Sequence, residues 1–212
     1  MGDLELLETE INPVMAKLIE NGIEITAVHN HVLRANPATY YMHIGGHGDP
    51  VKLATAIRTG LAASKTPLTP PAAPASQPAI DLDTAQLDQI IGVKGQPNGG
   101  VYQFAVPRRD PVTEGGTQLT PVGPLGVATA IGFQPTGDGK AAITGDFVLT
   151  GEEVNPVIQA LRSNGIEVTA LHSHMLDEQP RLFFMHFWAN DDAIKLAQGL
   201  RAALDKTAST KS

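Results

Sequence analysis

Apolar residues recur along this chain with two periods. Val101–Val106, Ala128–Phe133 and Ala141–Leu149 are short runs rich in Val, Ile and Phe, bounded by Gly and Pro, and they predict strands. TGDG at Thr136–Gly139 predicts the hairpin turn between two of them, with Asp-Gly supplying positive φ. Asp83 to Ile91 predicts a short helix. Asn155-Pro156 predicts a helix N-cap followed by proline at the first helical position, and Asn164-Gly165 a left-handed end to that helix. Asn12-Pro13 and Asn21-Gly22 repeat both signals. Beyond Gly165 the pattern predicts a strand over Ile166–Leu176, a turn around Glu178–Pro180 and a strand over Leu182–Trp188. A helix over Asp191–Lys206 follows, with Ile194, Ala197, Leu200, Ala203 and Leu204 on one apolar face.

The pattern occurs twice. Gly2–Thr66 aligns without a gap on Gly145–Ser209, with roughly 25 of about 65 positions identical, a period far too long for a solenoid. NPVMAKLIENGIEITAVHNHVL, from Asn12, answers NPVIQALRSNGIEVTALHSHML, from Asn155. The expected organisation is a shortened first repeat over 1–66, a Pro/Ala-rich linker over 67–79 and a complete second repeat over 80–212. Each copy reads strand–helix–strand–strand–helix. That order predicts an α+β fold, a duplicated ferredoxin-like antiparallel sheet with helices on one face, its first copy incomplete. The residues from about Ile80 to Thr144 have no counterpart before Gly2. The first copy is therefore expected to lack covering strands and to present an open sheet edge, which predicts a homodimer or strands borrowed from the second half.

Composition narrows the chemistry. Hydrophobic residues make up 42% and charged residues 17% of 212, a globular mix that excludes wholesale disorder. No apolar run reaches the ~18 residues of a membrane span. A net charge of -7 argues against nucleic acid as partner. The absence of cysteine removes disulfides, thiolate metal ligands and cysteine nucleophiles together. Seven histidines remain.

Six of them fall in one repeated pattern. Alternation along IEVTALHSHML puts Ile166, Val168, Ala170, His172 and His174 on one face, and Leu182, Phe184, His186 and Trp188 share a face of the next strand. Paired as a hairpin, His186 is expected opposite His172 or His174, close enough for three imidazoles to converge on one ion. His29, His31 and His43 offer the same set in the first copy. Three neutral imidazoles suit a divalent transition metal, zinc first, then copper, iron or nickel, and not Mg or Ca. Three ligands leave a position open, the arrangement of a catalytic site, where water becomes a nucleophile near neutral pH. Two other readings stay open: a small-molecule pocket with the histidines as hydrogen-bond donors, and a purely structural role.

Other candidates are weaker. Arg108 and Arg109, in PRRDP, read either as a clamp for a carboxylate or phosphate ligand or as a solvated turn with Asp110. His47, in GGHGDP, reads as a ligand-binding loop residue or a solvated one; the second copy has Asn190 there. Glu24 and Glu167 precede the histidines but project from the opposite face of a regular strand. Asp177 and Glu178 answer to Arg34 and Ala35, so they cannot serve both copies. No nucleophile elbow, phosphate loop, dinucleotide fingerprint or H-E-x-x-H is present.

GDFVLTGEEVNPVIQAL, NGIEVTALHSHML, RLFFMHFWANDDAIKLA and NGGVYQFAVPRRDP resemble the LppY/LpqO-type bacterial proteins, a domain family of unknown function. The resemblance covers nearly the whole chain except the linker. It implies two copies behind an export signal, hence a periplasmic or secreted protein. This chain shows no signal peptide and opens mid-copy at MGDLELL, so a missing N-terminal segment is expected. The resemblance implies no activity.

Overall fold

The computed structural model describes residues 1–69, 78–121 and 125–210. The chain divides into two units, Met1–Ala73 with His172–Leu176, and Pro74–Leu171 with Asp177–Ser212. The fold is mixed α+β, with antiparallel strand pairs and five helices among the described residues. The middle of the expected linker, 70–77, lies outside those residues.

In the first unit β1 (Gly2–Leu7), α1 (Glu8–Glu20), β2 (Glu24–His29), β3 (Thr39–Gly45) and α2 (Pro50–Leu61) follow one another. β3 is central, antiparallel to β1 on one side and β2 on the other. Alternation separates two faces. Leu4 and Leu6 of β1 and Met42 and Ile44 of β3 are buried in one cluster with Val14, Leu18 and Ala56 of the helices. Asp3, Glu5, Tyr41 and His43 fall on the other face. Each buried aliphatic side chain contributes about 1.5–3 kcal/mol. A slip of one residue would turn the whole apolar set outward, so the apolar positions fix the register and with it the polar ones.

The second unit holds α3 (Thr84–Ile91), β4 (Gln96–Asn98), β5 (Val101–Pro107), β6 (Thr113–Glu114), β7 (Thr117–Gln118), β8 (Ala128–Gly137), β9 (Lys140–Thr150), α4 (Gly151–Ser163), β10 (Glu167–His172), β11 (Leu182–Asp192) and α5 (Ala193–Leu204). Six strands form one sheet, in the order β10-β11-β9-β8-β5-β4, and β6 pairs with β7. Phe104, Ile131, Phe133, Ile143, Phe147, Met185 and Phe187 of the sheet pack with Leu87, Leu161, Leu196 and Leu200 of α3, α4 and α5. His186 alternates with Met185 and Phe187 and so faces away from that core.

The elements depart from the sequence reading in several places: β4, β6 and β7 were not expected, and β11 runs on to Asp192, so that the last helix starts at Ala193. α1 and α4 start four residues before Asn12 and Asn155, so Pro13 and Pro156 lie inside them. A stronger cap outweighs the Asn-Pro signal: Glu10 accepts from the Leu7 N–H at 2.9 Å and Glu153 from the Thr150 N–H at 2.8 Å. The strand expected to Leu176 stops at His172. There the His172 ring binds the neighbouring Ser173 carbonyl, 3.2 Å away, drawing it from any ladder.

Candidate metal centre

The first unit assembles its site where β2 meets β3. Ile25 stands opposite Ile44 on the core face, but the register then slips, and Ala27 stands opposite His43 and His29 opposite Tyr41. Thr26 is left over as a bulge. In an unbroken strand His29 would share the core face with Ile25; the bulge turns it onto the face of His43. The two histidines are therefore diagonal neighbours rather than directly opposed. The same slip corrects the expectation for Glu24, which stands opposite Gly45 on the histidine face but two pairs removed from Ala27–His43 in the irregular ladder. His31 follows in the loop after β2.

His29, His31 and His43 each offer a ligand atom, all within 4.8 Å of one another. His43 is buried, and His29 and His31 are half-buried. The Nδ1 of His29 lies 2.9 Å from the Asn30 carbonyl, a bond in which it donates and which leaves Nε2 as the basic nitrogen. That Nε2 lies 2.7 Å from the Nε2 of His43. Tyr41 stacks on His31, with ring centroids 3.3 Å apart and planes 4° off parallel. Burial, reinforced by the Glu5 carboxylate, pushes the Tyr41 phenol up to about 12, so it stays neutral beside the rings. Burial also holds His29 below the ordinary imidazole value, despite the opposing Asn30 bond.

The donor set fits a metal. Neutral imidazoles are the ligating form, and burial favours them. Two ligands of a tetrahedral ion with bonds of 2.0–2.1 Å stand about 3.3 Å apart, so the His29 and His43 rings would part by roughly 0.6 Å to seat one.

Of the second copy's histidines, His172 and His174 lie in the segment His172–Leu176, which groups with the first unit, while His186 belongs to the second. Within the first unit His43, His172 and His174 form another group with ligand atoms inside 4.8 Å. Burial takes His174 down to about 3. In the second unit the Nδ1 of His186 donates to the Gly145 carbonyl at 2.8 Å, which leaves its Nε2 basic.

Two carboxylates at these histidines escape sequence reading. Asp3 stands opposite His43 across β1–β3, and Asp146 opposite His186 across β9–β11. Asp3 Oδ1 lies 3.6 Å from His43 Nδ1, and its Oδ2 3.9 Å from His31 Nε2. Asp146 Oδ1 lies 3.9 Å from His186 Nδ1. Burial raises Asp146 to about 6, against the pull of His186 and the Met185 N–H. The signal was present, since Asp3 and Asp146 are identical in the gap-free alignment. Which strand faces which is the missing information.

The remaining candidates fall elsewhere. Arg108 is buried rather than solvated, and the carboxylates it holds are the chain's own. Its guanidinium donates to Glu153 at 2.6 Å, Asp110 at 2.8 Å and the Val148 carbonyl at 2.9 Å. Arg109 is exposed, with its backbone N–H on the Ala208 carbonyl. His47 is exposed in the loop before α2. Glu178 is buried in the turn before β11, where it accepts from the Leu182 N–H at 2.9 Å.

Fold and site together define a cysteine-free α+β protein whose histidines cluster closely enough to bind a metal ion. A family model described as a domain of unknown function (DUF1259) matches residues 1–63 and 85–206, and the chain belongs to that family. None of the curated proteins matches it.

Proposed function

We propose that this is a metal-binding protein in which His29, His31 and His43 hold one divalent transition ion, zinc being the first choice, with His172, His174 and His186 as the further ligand candidates of the second copy. One observation carries the reading: three half-buried to buried imidazoles converge within 4.8 Å, and the Nδ1 of His29 is tied to a carbonyl so that its basic nitrogen faces the others. Three-ligand sites leave room for a substrate oxygen, which makes a metal-dependent hydrolase or lyase the catalytic form of this reading. Bound there, the ion would supply Lewis acidity. The second reading is a non-catalytic small-ligand or structural module. It has one observation in its favour, since the 2.7 Å contact between His29 and His43 also suits a hydrogen bond between two rings. The envelope location rests on the resemblance to LppY/LpqO-type proteins alone. The homodimer is proposed to form through β1, which among the described residues pairs only with β3.

Elemental mass spectrometry on untagged protein, purified without added metal or chelator, tests the proposal. About one or two equivalents of a transition metal are expected, reduced in H29A and H172A. No metal, and none taken up on titration, would overturn it in favour of the second reading.

A further inference from the structure

We infer that Asp3 and Asp146 are positioning residues of the histidine sites, each setting its negative charge on the Nδ1 side of one ring so that Nε2 is presented to the ligand. The inference rests on the metal-binding reading and concerns how this chain prepares its imidazoles.

The placement is specific. In both copies the carboxylate comes from the neighbouring strand, at the position directly across from the histidine: Asp3 from His43, Asp146 from His186. In both, the nearer ring nitrogen is Nδ1, at 3.6 Å and 3.9 Å. Aspartate is among the residues depleted from strands, and the partly buried Asp146 carboxylate loses solvation there. A bland explanation exists for Asp3 alone, because charges on an edge strand discourage pairing. It fails for Asp146. β9 lies between β8 and β11, the Asp146 side chain is 17% exposed, and no edge needs protection there. What the two positions share is the histidine opposite.

The chemistry follows. Negative charge on the Nδ1 side favours the proton on that nitrogen and so favours Nε2 as the electron-pair donor. In the second unit the Gly145 carbonyl takes the Nδ1–H of His186 at 2.8 Å, and Asp146 adds negative charge behind the same edge of the ring. In the first unit Asp3 faces Nδ1 of His43 while the Asn30 carbonyl takes Nδ1–H of His29. The Nε2 atoms of the two rings stand 2.7 Å apart, a spacing that suits a hydrogen bond between them in the metal-free protein and that an ion would take over. Asp3 supplies negative charge beside that position. Its second oxygen, 3.9 Å from Nε2 of His31, extends the same field to the third ring.

The test titrates zinc alone into wild type, D3N, D146N, D3E and H43A, with a chromophoric chelator reporting affinity. Cobalt absorption reports coordination, and thermal unfolding of the metal-free forms reports folding. Wild type is expected to bind. D3N should weaken the first site about 10–100-fold, with full stoichiometry at saturating zinc, an unaltered cobalt spectrum and an unchanged metal-free Tm. D3E should recover part of the loss, and H43A should lose an equivalent outright. D146N should likewise weaken zinc binding at His186, so the inference stands or falls on it if D3N does not fold. A wild type that takes no zinc refutes the metal reading itself. Zinc binding of unchanged affinity in D3N and D146N refutes the positioning role and leaves the metal reading intact. A lost equivalent with an altered cobalt spectrum in D3N makes Asp3 a direct ligand and also refutes positioning.

Discussion

At the scale of single residues, the site depends on keeping imidazoles neutral. Protons compete with a metal for the same nitrogen, so a lower histidine pKa lets the metal stay bound in more acid solution. Burial holds His29 below the ordinary value of 6.5 and takes His174 to about 3. Both therefore remain neutral at pH values where a free imidazole is charged. Metal content followed from pH 8 downward should persist below pH 6.5 and fall only in more acid solution. Release centred at or above 6.5 would show that burial does not protect the ligands. The histidines were legible in the sequence because H-x-H with a facing His occurs in both copies. Their geometry was not. Strand alternation put His29 on the face of Ile25, and only the extra residue Thr26 turns it away. A bulge leaves no mark in composition, and Asp3 becomes visible only once β1 is seen to pair with β3.

At the scale of elements, the clearest feature is the clasp that closes each repeat. Glu10 accepts from the N–H groups of Leu7 and Lys65, and Glu153 from those of Thr150 and Ala208. One side chain caps its helix and ties down the segment after the last helix of the same repeat. The second unit adds Arg108, whose side chain is 1% exposed against Glu153. Removing one partner of such a buried pair costs about 3–5 kcal/mol, so R108A should show that loss in urea unfolding at pH 7. Burial alone would raise Glu153, but Arg108 and the N–H groups of Thr150 and Ala208 hold it below the ordinary carboxylate value. A lowered folded pKa contributes stability that is complete above about pH 4.5 and is lost as pH falls through the folded value. The R108A penalty should accordingly shrink between pH 5 and pH 3. A penalty that stays constant over that range would mean the pair is not what holds Arg108. The helices and the long strands were legible from periodicity and Gly caps, whereas the short β4, β6 and β7 were not. The helix starts were not, because the capping glutamate exerts its effect from inside the helix it opens.

At the scale of the whole molecule, the two repeats differ most in what lies beside the first strand. β9 carries β11 on one side and β8 on the other, whereas its counterpart β1 pairs, among the described residues, only with β3. Gly145 shows how closely the neighbour sits, since a Cβ there would lie 2.1 Å from the Ala130 carbonyl oxygen of β8. At Gly2, its counterpart, the nearest atoms belong only to the Ile44 side chain. An open recess of about 500 Å³ runs along β1, lined by Leu4, Leu6, Leu61 and Lys65 among others. The direction of the outward hydrogen-bonding groups follows from the duplication. Val148 sends its N–H to Thr129 on the β8 side and receives Arg108 on its carbonyl. Glu5 is the matching residue, so its N–H and carbonyl point from the open edge. An edge of this kind pairs with another strand, and a second copy of β1, antiparallel across a two-fold axis, satisfies both edges at once. Sedimentation at micromolar concentration should therefore give a dimer. E5P removes the outward donor without touching the β1–β3 ladder, and proline is tolerated on an edge. The E5P variant should sediment as a folded monomer with its zinc stoichiometry unchanged. A wild-type monomer, or an E5P dimer of undiminished affinity, would place the interface elsewhere.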